Sequence, residues 1–370
     1  MTLVVFFTRG MSLEGWHRAG ILERELALYR GLSRDVDRLA FVTYGGPDDG
    51  RYVSDMPRLD VLSNPWRLPM NLYSVLAPLV HRRYLRAASV FRTNQINGAW
   101  SAVVARRLFG RPLIVRCGFL WADNVARATA NPLRRLVTRW LEGRTFRAAD
   151  QIVVASDSHA RSVRTRYGID AERITVIPNY VDTSRFKPMP DIAREAGRVI
   201  YVGRLEDEKN VSVLIEALRL IPGGHLTIVG DGSLRTTLER EARERGSDVE
   251  FLGRVEHAAL PALLNRAQVF VLPSRYEGSP KALLEAMACG VAVVGTRVPG
   301  IEDVILDGET GILVSTNAEA IRAALTELLN DEALRQRLSD AAVRYVGERC
   351  SLDVAVERER AVLEAVARTM

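Results

Sequence analysis

The chain has 370 residues, 47% of them hydrophobic and 26% charged, an ordinary globular composition that excludes a disordered or fibrous protein. Its length exceeds what one core usually carries, so two domains of about 180 residues each are expected. The formal net charge of +6 is unevenly spread: residues 1–190 hold 29 Lys and Arg against 16 Asp and Glu, residues 191–370 hold 22 against 29, so the halves should face different partners, the first an anionic one.

Along the chain, the opening MTLVVFFTRG has too short an apolar run and no basic leader for a secretory signal. The longest stretch free of Asp, Glu, Lys and Arg is the 14 residues Leu68–His81, below the ~18 to 20 that cross a bilayer, so no transmembrane helix is expected. Cys117, Cys289 and Cys350 are odd in number and lack a CxxC or a histidine at ligand spacing. They read as buried or incidental thiols in a reducing compartment, and a cytoplasmic location follows.

In the first half, LVVFFT, LAFVTY, SVFRTN, LIVRC, QIVVAS and ITVIP are short apolar strands, most of them separated by helix-like segments. Strand and helix in alternation predict an α/β fold, a doubly wound parallel sheet with helices on both faces. Between the second and third of these strands, NPWRLPMNLYSVLAPLVHRRYLRAAS sets Trp66, Leu72, Tyr73, Leu76 and Leu79 among Arg67, Arg82, Arg83 and Arg86. That mixture suits a helix lying on an anionic membrane surface, and NPLRRLVTRWLEGRTFR extends the same character. An apolar side facing the core, with arginines as its solvated rim, is the equal alternative.

NYVDTSRFKPMPDIAREAG breaks the rhythm with two prolines and reads as the connection. Residues 1–185 are thus one Rossmann-like domain, 186–197 a linker, 198–352 a second Rossmann-like domain facing the first across a cleft, and 353–370 a helix that returns to the first. The second domain's strands are RVIYVG, HLTIVG, VEFLG, VFVLPS, VAVVGT and GILVS. Ligands of such sheets bind beyond the C-terminal ends of the strands, so the loops there should share one rim. GRLEDEKN supplies Gly203, Arg204 and Lys209, with Asn210 as a possible cap of the next helix; GDG, residues 230–232, supplies a tight glycine turn.

After the fourth of these strands comes YEGSPKALLEAMACG, with Glu277 in the loop, Ser279 at an N-cap position, Pro280 at the first helical position, and Gly290 just past the end. Glu285 lies about a turn and a half into that helix, on the side of Lys281. A helix N-terminus, an arginine fork, a lysine and glycines on one rim describe a diphosphate site. The alternatives are a surface pair Lys281–Glu285 with a solvated Glu277, and Arg204 and Lys209 paired with Glu206 or Asp207. Only Lys187, Lys209 and Lys281 of the 51 basic residues are lysines, which marks them as compact point charges in an arginine-using chain.

With Glu277 and Glu285 inside EGSPKALLEAMACGVAVVGTRVPGIEDVILDGETGILV, with GRLEDEKN, and with VIPNYVDTSRFKP before the linker, the chain resembles a retaining glycosyltransferase of the GT-B fold, family GT4. The resemblance implies sugar transfer from a nucleoside-diphosphate donor to an acceptor hydroxyl with the anomeric configuration kept, the donor being a substrate, and neither cofactor nor metal required. It further implies that Arg204 and Lys209 hold the diphosphate and that Glu285 accepts from the ribose hydroxyls. Glu277 would face the anomeric carbon, while Gly278, Ser279, Pro280 and Lys281 form the binding turn, with backbone donors from its residues other than proline and a cation from the lysine. Departure of the diphosphate builds negative charge on one side and oxocarbenium character on the other, which suits those charges.

The chain departs from the resemblance on the first-domain side. Gly10 and Gly15 stand apart in TRGMSLEGW where many relatives have a glycine pair, LIVRC runs into Gly118 rather than a histidine, and Asn179-Tyr180 replaces Asn-Gly. Arg116 and Asn94 lie near the expected rim without an assigned role. His17, His81, His159, His225 and His257 are scattered and read as surface or capping residues. With the basic first half, the acceptor would be a sugar or lipid-linked sugar of surface polysaccharide or glycolipid assembly, reached from the inner face of the membrane. Two other readings stand beside this one: a GT-B sugar-nucleotide epimerase, and a basic nucleic-acid-binding protein. The latter lacks a basic run interleaved with aromatics and leaves the strand-rim motifs unexplained.

Overall fold

The computed structural model describes residues 1–368. The chain forms two compact units, one of residues 1–178 joined by the C-terminal stretch from Ala355, the other of Asn179–Val354. Each is a parallel α/β layer structure, as the alternation of elements predicts.

The first unit's sheet has seven strands: β1 (Thr2–Phe6), β2 (Arg38–Val42), β3 (Leu59–Leu62), β4 (Val90–Thr93), β5 (Leu113–Cys117), β6 (Gln151–Val154) and β7 (Ile174–Val176), in the order β3-β2-β1-β4-β5-β6-β7. Six were expected. The seventh, β3, is a half-buried edge strand of sequence LDVL that pairs only with β2, so it lacks the continuous apolar run by which buried strands are read. Its Asp60 accepts from the Tyr84 hydroxyl at 2.7 Å.

The second unit's sheet comprises β8 (Arg198–Val202), β9 (His225–Val229), β10 (Val249–Gly253), β11 (Val269–Leu272), β12 (Ala292–Thr296) and β13 (Ile312–Val314), ordered β10-β9-β8-β11-β12-β13. All pairings are parallel. The chain steps outward from β8 through β9 to β10, then returns to lay β11 on the other side of β8. Loops leaving β8 and β11 therefore diverge at a topological switch point, which opens a crevice at the strand ends. Apolar faces of the flanking helices and both faces of the strands form one continuous core in this unit.

Residues 186–197, expected as a linker, are bound along the second unit. Phe186 is in its core, Asn265 accepts from the Met189 amide at 2.8 Å, and Arg194 donates to the carbonyls of Ala267 and Gly290. The helix Leu352–Arg368 carries Glu359 into the first unit, where the carboxylate is buried against two guanidiniums. Arg92 binds it through Nε at 3.2 Å and Nη2 at 2.8 Å, and Arg116 through Nη1 at 2.6 Å. Arg116 thus braces the C-terminal helix. Asn94, the other residue without a role, accepts from the Tyr29 hydroxyl at 2.9 Å.

Candidate active site

β11 is buried along its whole length and ends at Pro273, which has no N–H to continue the ladder. Beyond it, Ser274 is buried, and its hydroxyl donates to Glu277 Oε1 at 2.7 Å. Across the switch point, the loop after β8 makes a short turn over Asp207–Lys209 and passes through Asn210 in the left-handed region at φ 55°. Asn210 does not cap the following helix with its side chain. Its Nδ2 instead donates to the Pro273 and Thr316 carbonyls, both at 3.2 Å, fastening the β8 loop to the β11 loop. A second tie runs from the Arg275 amide to the Glu208 carbonyl at 2.8 Å. So held, Lys209 Nζ reaches Glu277 Oε1 at 2.5 Å, with the two side chains 15% and 9% exposed.

The helix after the loop spans Lys281–Ala288, one residue later than expected. Pro280, at ψ 105°, is the extended N-cap rather than the first helical residue, and no side chain, that of Ser279 included, caps the helix. Proline's fixed φ is compatible with either position; its extended ψ is what delays the helix. The Ser279 carbonyl accepts from Asn179 Nδ2 at 2.8 Å, and the Lys281 ammonium lies 5.4 Å from the centre of the Tyr180 ring. The Asn179-Tyr180 pair thus supports this loop with an amide at one end and a cation–π contact at the other. Gly300, at φ +84°, lies where a Cβ would stand 2.5 Å from the Glu277 carbonyl, so the loop is packed too closely for any side chain there.

Glu285 is buried and does not form a surface pair with Lys281. Its Oε1 is 2.9 Å from His257 Nε2, and the His257 ring packs 5.1 Å from that of Phe186. His257 follows β10, four residues beyond Gly253, and was read in the sequence as a scattered histidine. Its position beyond the end of a second-unit strand, on the same rim as the glycine loops, was the signal that could have marked it.

Glu277 Oε1 takes Lys209 and Ser274 while its Oε2 has no hydrogen-bond partner among the described residues, and Glu285 is anchored through Oε1 alone. Arg204 is exposed and pairs with Glu208 at 2.8 Å, not with Glu206 or Asp207. Its carbonyl accepts from the Tyr201 hydroxyl at 2.8 Å, a phenol held above its ordinary pKa first by burial and then by the Glu277 charge. Gly203 and Gly230 touch where the β8 and β9 loops meet: a Cβ on Gly230 would fall 1.9 Å from the Gly203 carbonyl. Cys289, behind the helix, is a buried thiol pushed up to about 12, mainly by burial, as fits a packing residue. Among the described residues no three His, Cys, Asp or Glu side chains are grouped to hold a metal ion. The rim brings together a lysine, an exposed arginine and two carboxylates, each with an oxygen that no described residue bonds. It can bind an anion and hydroxyl groups side by side.

Residues 183–344 match the family model "Glycosyl transferases group 1", and residues 26–185 match "Glycosyltransferase Family 4". The chain is similar to the glycogen synthase of Mycobacterium tuberculosis, 35% identical over 217 residues, or 56% of this chain and 51% of that protein, so it spans about half the length of that relative. By structure it resembles sucrose-phosphate synthase from Thermosynechococcus elongatus, at TM-score 0.83 and 20% identity over 100% of both chains. It also resembles HepE of Anabaena in complex with UDP and glucose, at TM-score 0.79 and 19% identity over 99% of this chain and 100% of that one.

Proposed function

We propose that the chain, which matches two glycosyltransferase family models over residues 183–344 and 26–185, performs a retaining, metal-independent transfer of a sugar from a nucleoside-diphosphate donor to an acceptor hydroxyl. The observation that carries this reading is the meeting of Lys209 and Glu277 at the second sheet's switch point, with Glu285 anchored by His257 on the same rim. The UDP and glucose held by the Anabaena HepE structure support a donor of this class.

In this reading Arg204 and Lys209 neutralise the leaving diphosphate, the role a metal fills elsewhere. Gly203 lets the backbone of the β8 loop come close to it. Gly278, Ser279, Pro280 and Lys281 form the turn at the start of the helix, where the amides other than proline's and the lysine add positive potential. Glu285 accepts from the ribose hydroxyls with the oxygen that His257 leaves open. Glu277 turns Oε2 towards the sugar, where a fixed negative charge stabilises the oxocarbenium character that grows as the diphosphate departs. Because Lys209 binds the other oxygen of the same carboxylate, the phosphate and sugar sides are fixed relative to each other.

The acceptor side belongs to the first unit in this proposal, and the acceptor is a sugar or lipid-linked sugar of polysaccharide or glycolipid assembly, met at an anionic membrane surface. Leu72, Val75 and Leu79 form an exposed row on the helix Met70–Val80, with Arg82, Arg83 and Arg86 at its end. Leu133, Leu136, Val137 and Trp140 form another on the helix Pro132–Ala148, and both helices pack against Trp100–Phe109. Apolar rows edged by arginines match the interfacial pattern of a helix lying on anionic lipid. No helix among the described residues is long and apolar enough to cross a membrane.

Thermal-shift titration with UDP, GDP and ADP tests the donor site, since a ligand bound by the native state alone raises apparent stability. One nucleotide should stabilise the protein, and Arg204→Ala and Lys209→Ala should each weaken its binding by about 10- to 150-fold, the loss of one charge-assisted contact. Transfer from the corresponding nucleotide sugar should survive EDTA. Inactivation by chelator with rescue by magnesium or manganese, or formation of an epimer without transfer, would overturn the reading.

A further inference from the structure

The first unit has a polar recess of about 440 Å³ beyond the ends of β2 and β3, lined by residues that include Tyr44, Asp48, Arg51, Tyr52, Asn64 and Arg67. Its construction is specific. Asn64 is buried, and its side-chain amide both donates to the Leu68 carbonyl at 2.8 Å and accepts from the Leu68 amide at 3.0 Å, closing the loop on itself. The Asn64 amide in turn binds the Gly45 carbonyl at 2.8 Å, so this loop is sewn to the one after β2. Inside the closed loop Arg67 is forced to φ 48°, one of two non-glycine residues at positive φ among those described. That conformation costs about 1 to 2 kcal/mol for an L-residue. It carries the guanidinium over the glycine step: a Cβ on Gly46 would lie 3.7 Å from Arg67 Nε.

The other charges around the recess, the exposed Asp48 apart, are committed. Asp49 is buried and accepts from the Leu13 and Glu14 amides and the Thr43 hydroxyl, at 3.2, 2.9 and 2.6 Å. Glu14 pairs with Arg18 at 2.5 Å. Arg51 donates to the Tyr52 hydroxyl at 2.7 Å, and the exposed Asp48 lies close enough to act on its charge. Arg67 forms no ion pair or side-chain hydrogen bond with any described residue. A planar fork of five donors, exposed at the recess on a strained backbone and not paired with a carboxylate, fits an oxyanion brought by a ligand. The neighbouring tyrosines, Asp48 and Arg51 suit sugar hydroxyls.

We propose that this recess binds an acidic saccharide, with Arg67 anchoring its carboxylate or phosphate. The inference rests on the glycosyl-transfer reading and deepens it, because it makes the acceptor an acidic sugar held on the first unit's strand rim. The test is a thermal-shift titration of the wild type and Arg67→Gly with glucuronic acid, glucose 6-phosphate and glucose, the first two separating carboxylate from phosphate. Glycine adopts the positive φ without strain, so the variant should melt no lower than the wild type while needing about 10- to 100-fold more of the acidic sugar for the same shift. Wild type should respond to at least one acidic sugar and not to glucose. An equal response to glucose, an undiminished response in Arg67→Gly, or no response to either acid overturns the proposal. UDP, GDP and ADP titrated on the same samples separate the two readings. A nucleotide shift without an acid response overturns the recess alone, and an acid response without any nucleotide shift overturns the donor reading alone.

Discussion

Glu277 and Glu285 are the same side chain eight positions apart, and the fold distinguishes them by what occupies Oε1: a lysine and a serine for one, a histidine for the other. The proposed division of labour predicts different kinetic signatures. Glu277→Gln keeps the hydrogen-bonding shape but removes the charge facing the sugar. Turnover should fall by about 10² to 10³ with nucleotide affinity little changed. Near-normal turnover in steady-state assays would remove Glu277 from the reaction. In that proposal His257, which bonds Glu285 Oε1, acts through it as a positioning residue. Removing its bond to a carboxylate in His257→Ala should raise the donor KM by about tenfold or more with kcat nearly intact, and His257→Asn should restore part of the loss. A fall in kcat at unchanged KM would contradict that role.

Among the elements, the C-terminal helix Leu352–Arg368 shows how one buried charge can fix a whole segment. Burial alone would push the Glu359 carboxyl up, but the Arg92 and Arg116 guanidiniums overcome this and hold it below its ordinary value of 4.5. Tyr29, which accepts from Arg92 Nη1 at 2.9 Å, completes the cluster, its own phenol raised by burial. Because the folded pKa lies below the unfolded one, this contribution to stability is present above the unfolded pKa and is lost as pH falls through the folded pKa. Glu359→Gln leaves two guanidiniums facing an amide and should cost about 3 to 5 kcal/mol at neutral pH. Denaturant titrations of both proteins from pH 7 down to about pH 3 check the sign: the gap should narrow on acidification, as protonation removes the same charge in the wild type. A gap that stays constant across that range would show that the cluster's charge does not stabilise the helix.

At the scale of the molecule, the 29 basic against 16 acidic residues of the first 190 set a field that the second half, with 22 against 29, does not share. The exposed apolar rows lie in the basic half, on the helices Met70–Val80 and Pro132–Ala148, which is the combination an anionic bilayer attracts. Each arginine near such a surface contributes on the order of 1 kcal/mol, so replacing Arg82, Arg83 and Arg86 together by Ser should weaken vesicle binding by roughly 3 kcal/mol. Raising salt should weaken the wild type in the same direction, because screening shortens the reach of the field. Flotation with vesicles of increasing anionic-lipid content reads this out. Wild-type protein that stays unbound at low salt would favour an acceptor free of the membrane.

The sequence by itself determined the strand-and-helix alternation, the restart of the pattern after the proline-rich stretch, and the loops that carry Gly203, Arg204, Lys209 and Glu277, because apolar period and turn residues are local properties of the chain. It also showed Glu285 at helical spacing from Lys281. Tertiary structure alone decided which charges meet. Lys209 and Glu277 are 68 residues apart and come together only because β8 and β11 are neighbours in the sheet. His257 reaches Glu285 from the loop after β10, and Phe186 packs beneath it from a stretch that local syntax reads as linker. Edge strand β3 and Asn210, whose side chain binds two carbonyls rather than a helix end, both depend on partners far along the chain. Arg67 follows the same rule: nothing in SNPWRLP announces a left-handed arginine, and its conformation comes from Asn64 closing the loop against the glycines after β2. Local pattern fixes which groups stand at the ends of strands, and only the order of strands in the sheet fixes which of those groups share a site.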